Sequence, residues 1–314
     1  MHKVLLAGVA AAGLAAGAAA SPAPPVVATI LPIHGLTAAV MEGVGEPRLL
    51  LPPGTSPHAY SMKSSDAAAL EDAELVIWVG DALETFLARS LDNLAGDARR
   101  LALLDAPGVE LRHFARGHAD HAHGDHDHAD DRADDHAADR GDVDPHIWLS
   151  PTNAAAMTRA IAAALAELDP ANGDTYRANA AATVDEIEAL ERALEVELAP
   201  VRDVPFIVFH DAYGYFEDAF GVRDVGAVTL SPDQSPGTAH VAELRRTIRA
   251  AEAVCVFAEP QFEPQLVETL AAGTDVRTGE LDPVGADLEP GPDAYVQLMR
   301  ELADDLVDCL AGED

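Results

Sequence analysis

Short β-branched runs alternate with stretches of three-and-four apolar spacing along most of this chain. Val26-Val27-Ala28-Thr29-Ile30-Leu31 reads as a buried strand, and a helix over 33–41 follows it. Residues 48–51 form a second strand, stopped by Pro52-Pro53-Gly54. Ser64 or Ser65 caps a helix to about residue 72, and a strand over 75–79, a helix over 82–94 and a weaker strand over 101–104 complete the first half. Ser150-Pro151-Thr152-Asn153 opens a helix to about 168. A longer periodic stretch covers 172–197, without internal proline, with Val184, Ile187, Leu190, Leu194 and Leu198 on one stripe. At about 1.5 Å per residue it spans about 40 Å, enough to connect two lobes.

After Pro200 the alternation returns. Strands over 205–209, 224–229, 253–257 and 275–279 are interleaved with helices over 213–220, 241–251 and 265–271, and a helix over 293–310 closes the chain. The second half repeats the rhythm of the first, though not its letters. Strands alternating with helices predict parallel sheets and an α/β fold. The expected organisation is an N-terminal lobe over 21–168, a connecting helix over 169–200 and a C-terminal lobe over 201–314.

Two segments break the pattern. His2 and Lys3 precede an Ala/Leu/Val/Gly run over 4–20 ending in Ala18-Ala19-Ala20, which reads as a cleaved signal peptide over 1–20 and predicts export to the periplasm. Residues 116–144 are His, Asp, Ala, Gly and Arg with almost no large apolar side chain. Such a stretch cannot bury enough surface to fold alone and is expected to be a disordered loop within the N-terminal lobe.

Composition narrows the partners. Asp and Glu number 54 against 20 Lys and Arg, a formal net charge of −34. That surface repels phosphate backbones and anionic lipid heads, so nucleic acid and membrane surfaces are poor partners, and a soluble monomer is expected. Cys255 and Cys309 are an even pair in an exported chain, which suggests one disulfide, with two buried thiols as the alternative. Closing about 55 residues is worth roughly 4 kcal/mol in the chain-entropy description.

Three histidines stand in loops beside predicted strands. His58 follows the proline-rich turn, His146 follows Asp144-Pro145, and His210 ends Phe206-Ile207-Val208-Phe209 at the C-terminal edge of a strand, where parallel sheets bind ligands. Three neutral imidazoles suit Zn²⁺, with a fourth position left to a carboxylate or water. Their gaps of 88 and 64 residues fit no local motif, so spacing alone does not prove that they meet.

The segments Leu51-Pro52-Pro53-Gly54-Thr55-Ser56-Pro57-His58-Ala59-Tyr60, Asp144-Pro145-His146-Ile147-Trp148-Leu149-Ser150-Pro151, Phe209-His210-Asp211-Ala212-Tyr213-Gly214-Tyr215-Phe216 and Leu281-Asp282-Pro283-Val284-Gly285 resemble the zinc-binding subunits of bacterial metal ABC importers, the ZnuA type. Glu259-Pro260-Gln261-Phe262 and the cysteine pair match as well. The resemblance covers nearly all of the chain after the signal peptide. It implies two Rossmann-like lobes, a rigid connecting helix and Zn²⁺ in the cleft between lobes, held by His58, His146 and His210. It implies delivery of that ion to an inner-membrane ABC permease, with a zinc chaperone as a further partner and no enzymatic activity. Asp282 matches a carboxylate that some relatives use as fourth ligand, and water is the alternative. Some relatives carry an acidic residue before the first histidine; Pro57 stands there here. Glu259 is placed to orient a ligand histidine. Manganese-binding relatives tend to carry a carboxylate where His210 stands, so this ligand set favours zinc.

Seven more histidines, His113, His118, His121, His123, His126, His128 and His136, lie in or beside the acidic segment. Similar loops occur in zinc-binding relatives, and the expected role is to capture scarce zinc or buffer its excess. Within it, His121-Ala122-His123-Gly124-Asp125-His126 fits the H-x-H-x-D-H pattern of metallo-hydrolases, but that chemistry needs a rigid scaffold and the match is read as chance. A His₃ zinc hydrolase and a periplasmic zinc buffer are the competing functions. The chain has no HExxH motif. His34 and His240 are read as structural.

Overall fold

The computed structural model describes residues 23–114, 143–229 and 237–312. The signal peptide expected over 1–20 and nearly all of the 116–144 segment lie outside them. The first half forms β1 (Val26–Ala28), α1 (Leu31–Met41), β2 (Arg48–Leu49), α2 (Ser64–Glu71), β3 (Leu75–Trp78), α3 (Thr85–Leu94) and β4 (Arg99–Ala102). Two long helices follow, α4 (Pro151–Leu168) and α5 (Gly173–Leu198). The second half forms β5 (Phe206–His210), α6 (Gly214–Phe220), β6 (Asp224–Thr229), α7 (Thr238–Ala250), β7 (Cys255–Ala258), α8 (Gln265–Ala271), β8 (Arg277–Glu280) and α9 (Ala294–Ala311).

Each half builds a four-stranded parallel sheet, ordered β2-β1-β3-β4 and β6-β5-β7-β8. Counted within its own half, each order is second-first-third-fourth, so the repeated rhythm of the sequence is a repeated topology. The chain leaves the first strand of each sheet to one side and returns on the other. A crevice opens at the C-terminal ends of the strands at such a switch. β3 and β5 are buried along their whole length, as expected for parallel strands covered on both faces.

α5 packs along α4, and α1 and α9 also pack on it. Its buried stripe is Tyr176, Ala180, Val184, Ile187, Leu190, Leu194 and Leu198, the three-and-four spacing read from the sequence. One apolar core therefore runs from Leu75 and Val76 in the first sheet, through Ile161 and Leu190, to Phe206 and Phe257 in the second. Interiors packed in this way resist deformation, so the two lobes hold a fixed separation. Among the described residues, no helix is long and apolar enough to cross a membrane.

At several places where the structure departs from the sequence reading, a buried polar group or turn is the cause. α3 begins at Thr85, three residues late, because the fully buried Glu84 carboxylate ties strand ends together. It accepts from Thr29 Oγ1 at 2.6 Å, Val79 N–H at 3.2 Å and Gly80 N–H at 3.0 Å. β4 comes early because Leu103–Asp105 forms a 3-10 turn with Leu103 in the core. α2 starts at Ser64, but its first turn is closed by Asp66, which accepts Lys63 N–H at 2.7 Å and Tyr60 O–H at 2.6 Å. The loop drawn to residue 144 ends sooner: Val143 forms an antiparallel bridge with His113, and Asp144 is buried.

Cys255 of β7 and Cys309 of α9 are disulfide-bonded across 54 residues. Replacing both with serine is expected to lower unfolding free energy by about 4 kcal/mol, read by urea denaturation; an unchanged midpoint would rule out that role. Burial pushes the Glu84 carboxyl up to about 7 from an ordinary 4.5, although its three donors oppose the shift. The folded state keeps a proton that the unfolded chain gives up. This contribution is therefore complete below about pH 4.5 and lost as pH rises through about 7. The loss is on the order of 3 kcal/mol. Wild-type stability should fall more steeply between pH 5 and 8 than that of Glu84→Gln, and equal slopes would refute this.

Candidate metal centre

The three sequence-predicted histidines come from three separate parts of the chain and meet. His210 is the last residue of β5, at the C-terminal edge of the second sheet. His58 sits in the long connection after β2, whose start is fixed when Leu50 and Leu51 N–H donate to Ala28 and Thr29 carbonyls. His146 caps the 3-10 turn Ile147–Leu149 that leads into α4. Ser150 Oγ accepts Asn153 N–H at 3.2 Å and Pro151 takes the first helical position, so helix and turn are set locally.

His146 Nε2 lies 3.2 Å from His58 Nε2 and 3.3 Å from His210 Nε2. Tetrahedral Zn²⁺ with Zn–N bonds of about 2.0–2.1 Å has an N···N edge of about 3.3–3.4 Å. Among the described residues, these three alone form a group of metal-ligand atoms, all within 4.8 Å of one another. His146 and His210 are buried, and His58 is partly so.

Two carboxylates fix which ring nitrogen is bare. Asp144 Oδ1 is 2.8 Å from His146 Nδ1, and Glu259 Oε1 is 2.6 Å from His210 Nδ1. A carboxylate accepts, so each Nδ1 carries the hydrogen and each Nε2 presents its lone pair to the centre. Lone pairs facing each other at this distance need a proton or a cation between them. Burial and the neighbouring His146 and His210 push His58 down to about 2, so it stays neutral. Burial alone would lower His210, but the charge and hydrogen bond of Glu259 outweigh it and hold His210 above its ordinary 6.5. His210 is thus the ring that takes the competing proton.

The walls are apolar and braced. Trp148 stacks edge-on to His146 at 5.3 Å between ring centroids and donates its Nε1–H to the Pro283 carbonyl at 2.7 Å. Phe262 lies over Phe209 and edge-on to His210. Tyr213 donates to the Leu281 carbonyl at 3.0 Å, beside Glu259. Glu259 thus stands where a ligand-orienting role requires.

Asp282 is not brought to the three rings. Its Oδ1 accepts Gln261 Nε2–H at 2.7 Å and Val284 N–H at 2.9 Å, and its Oδ2 accepts Ala286 N–H. It shapes the Pro283–Ala286 turn that forms one wall. His34 and His240 each pair a ring nitrogen with a backbone carbonyl, of Pro47 and Ala227. His113 lies in the bridge with Val143, and the six histidines from His118 to His136 fall outside the described residues. Sequence reasoning missed Asp144 as the partner of His146. The signal was present in the Asp-Pro-His order, because an aspartate two residues before a histidine can reach back to both its N–H and its ring; here Oδ1 also accepts His146 N–H at 3.1 Å.

A family model described as "Zinc-uptake complex component A periplasmic" matches residues 26–309. The chain belongs to this family. Its relatives include the "High-affinity zinc uptake system protein ZnuA" of Brucella suis, 43% identical with 99% of each chain covered. The protein of the same description from Yersinia pestis is 38% identical over 91% of each chain. Among solved structures, a zinc-bound ZnuA deletion mutant superimposes with a TM-score of 0.75 at 25% identity, covering 93% of this chain and 100% of that one.

Glu259 holds His210 above its ordinary value, so its proton must leave when an ion binds, whereas His58 is already neutral. The logarithm of zinc affinity is therefore expected to fall as pH drops from 7 to 5, with a slope below three. Chelator competition between pH 7 and 5 measures it; a slope near three, as for three independent imidazoles, would contradict the assignment.

Proposed function

We propose that the chain holds Zn²⁺ as cargo between its two lobes through the Nε2 atoms of His58, His146 and His210. Family membership makes it a periplasmic transport component with a cognate ABC permease, not an enzyme. The observation that carries the ligand set is the convergence of three bare ring nitrogens at 3.2 and 3.3 Å, with Asp144 and Glu259 behind two of them. Three imidazoles favour a borderline cation over Mg²⁺, Ca²⁺ or Mn²⁺, which prefer oxygen.

Water takes the fourth position in this reading. Asp282 is occupied by three donors, whereas Ser56 Oγ and Gln261 Oε1 are buried in the cleft wall without protein partners and suit the hydrogens of a metal-bound water. Residues 1–20 direct export, the lobes span 21–168 and 201–314 about the 169–200 helix, and the protein acts as a monomer. A zinc chaperone is a further partner in the same proposal. The shared core through α1, α4, α5 and α9 favours closure by loops over a wide swing of the lobes.

Metal analysis of the purified chain should find one tightly held zinc outside the 116–144 segment. Sharing about 10–16 kcal/mol of zinc binding among four ligands gives about 3 kcal/mol each, so His210→Ala should weaken that site by more than about a hundredfold. Wild-type affinity in that variant would end the three-histidine assignment.

A further inference from the structure

Arg112 stands behind the metal centre, and nothing in the ligand set explains it. Its Nη1 is 3.3 Å from Asp144 Oδ2, on the carboxylate whose other oxygen holds the His146 ring. Its Nε is 3.3 Å from Asp218 Oδ2 of α6 in the second lobe. Asp211 and Glu217 also act on the same guanidinium electrostatically. In a chain with 54 acidic residues against 20 basic ones, four carboxylates from both sides of the cleft share this one cation.

The backbone around it forms a clasp. Arg112 N–H donates to Tyr215 Oη at 2.8 Å, and Tyr215 O–H donates to the Asp144 carbonyl at 3.1 Å. Asp144 N–H returns to the Arg112 carbonyl at 2.9 Å, flanking the His113–Val143 bridge. A tyrosine of α6 thus joins the two bridged segments, the second of which leads to His146. The guanidinium lies flat on Gly214, the first residue of α6. A Cβ built there would sit 2.2 Å from its carbon and from Nη1. A side chain at this position would have to push the guanidinium aside, and the glycine is not called for by its backbone angles.

We infer that Arg112 is a positioning residue of the metal centre, which locks Asp144, and through it the His146 ring, against α6 of the opposite lobe. This rests on His146 being a zinc ligand. Without the guanidinium, Asp144 keeps its hydrogen bond to His146 but loses the partner that fixes its second oxygen. The ring nitrogen is then free to drift from the other two, and of the ties between lobes at this point only the Tyr215 bonds to the backbone remain. The planar guanidinium aims Nη1 and Nε at two carboxylates in fixed directions; a lysine ammonium is a compact charge on a flexible stem and does not fix them in this way.

The test uses the intact chain and four variants: Arg112→Met, Arg112→Lys, Gly214→Ala and the Met/Ala double variant. Zinc affinity is read by chelator competition, ligand geometry by the visible spectrum of the Co²⁺-substituted protein, and folding by urea denaturation of the metal-free form. Arg112→Met should weaken zinc by tenfold to a hundredfold, the range seen when groups behind a metal ligand are removed, and alter the Co²⁺ spectrum. Arg112→Lys should fall between it and wild type. Gly214→Ala leaves every charge in place and only displaces the guanidinium, so it should match Arg112→Met within about threefold. The double variant should be no worse than the weaker single, because both remove one interaction. Wild-type affinity and spectrum in Gly214→Ala overturn the inference whatever Arg112→Met does, and this variant also carries the test if Arg112→Met fails to fold. A wild-type chain that binds no zinc, or a His146→Ala variant that binds it undiminished, overturns instead the ligand assignment on which the inference rests.

Discussion

Lone pairs on His146 and His210 face each other at 3.3 Å in a buried pocket, and neither ring can turn its hydrogen inward without breaking a bond to a carboxylate. That constraint makes the centre a receptor for positive charge. A proton shared between the rings relieves it partly; a divalent ion relieves it for all three imidazoles at once. The protein has thereby placed the cost of an empty site in the folded state itself, where unpaired polar atoms in a low dielectric are expensive. Binding is strong because the alternative is poor, which is the general logic of preorganised sites.

Such a constraint works only if the rings cannot drift apart, and the fold is arranged to prevent this. The three histidines are separated by 88 and 64 residues, yet each hangs from an element rooted in the shared core. His210 is the end of a fully buried strand, and His146 is followed by Trp148, whose indole reaches Pro283 and whose carbonyl accepts from Tyr295 of α9. α5 and α9 carry apolar stripes that join the sheets, so tenths of an ångström at the cleft are backed by whole helices. His58, on the long loop after β2, is the least buried of the three and the natural point of entry.

Most of the architecture was legible because parallel strands buried on both faces are continuous apolar runs, and because α5 repeats its stripe without interruption. The departures share a cause. Glu84 and Asp144 are acidic letters that sequence reasoning assigns to solvent, yet both are buried because backbone and side-chain donors converge on them. Leu103 looked like the end of a strand and instead anchors a turn. At the centre, the histidines stood out individually, but their convergence rests on long-range packing that no local spacing encodes; the motif resemblance supplied what periodicity could not. Arg112 carried no signal at all, since its partners are brought to it only by the His113–Val143 bridge and α6. The motif likewise pointed to Asp282, and the structure shows its carboxylate engaged in holding a turn.

The fold and the centre respond to pH in opposite directions. Besides Glu84, burial raises Glu217 to about 9, with the Asp224 carboxylate beside it acting in the same direction, so folded stability declines as the solution becomes more alkaline. His210, in contrast, becomes free for a cation as its proton leaves over the same change. A ligand that binds the folded chain adds stability in proportion to the logarithm of its concentration over its dissociation constant. Near neutrality the ion therefore contributes most where the buried carboxylates have taken most away.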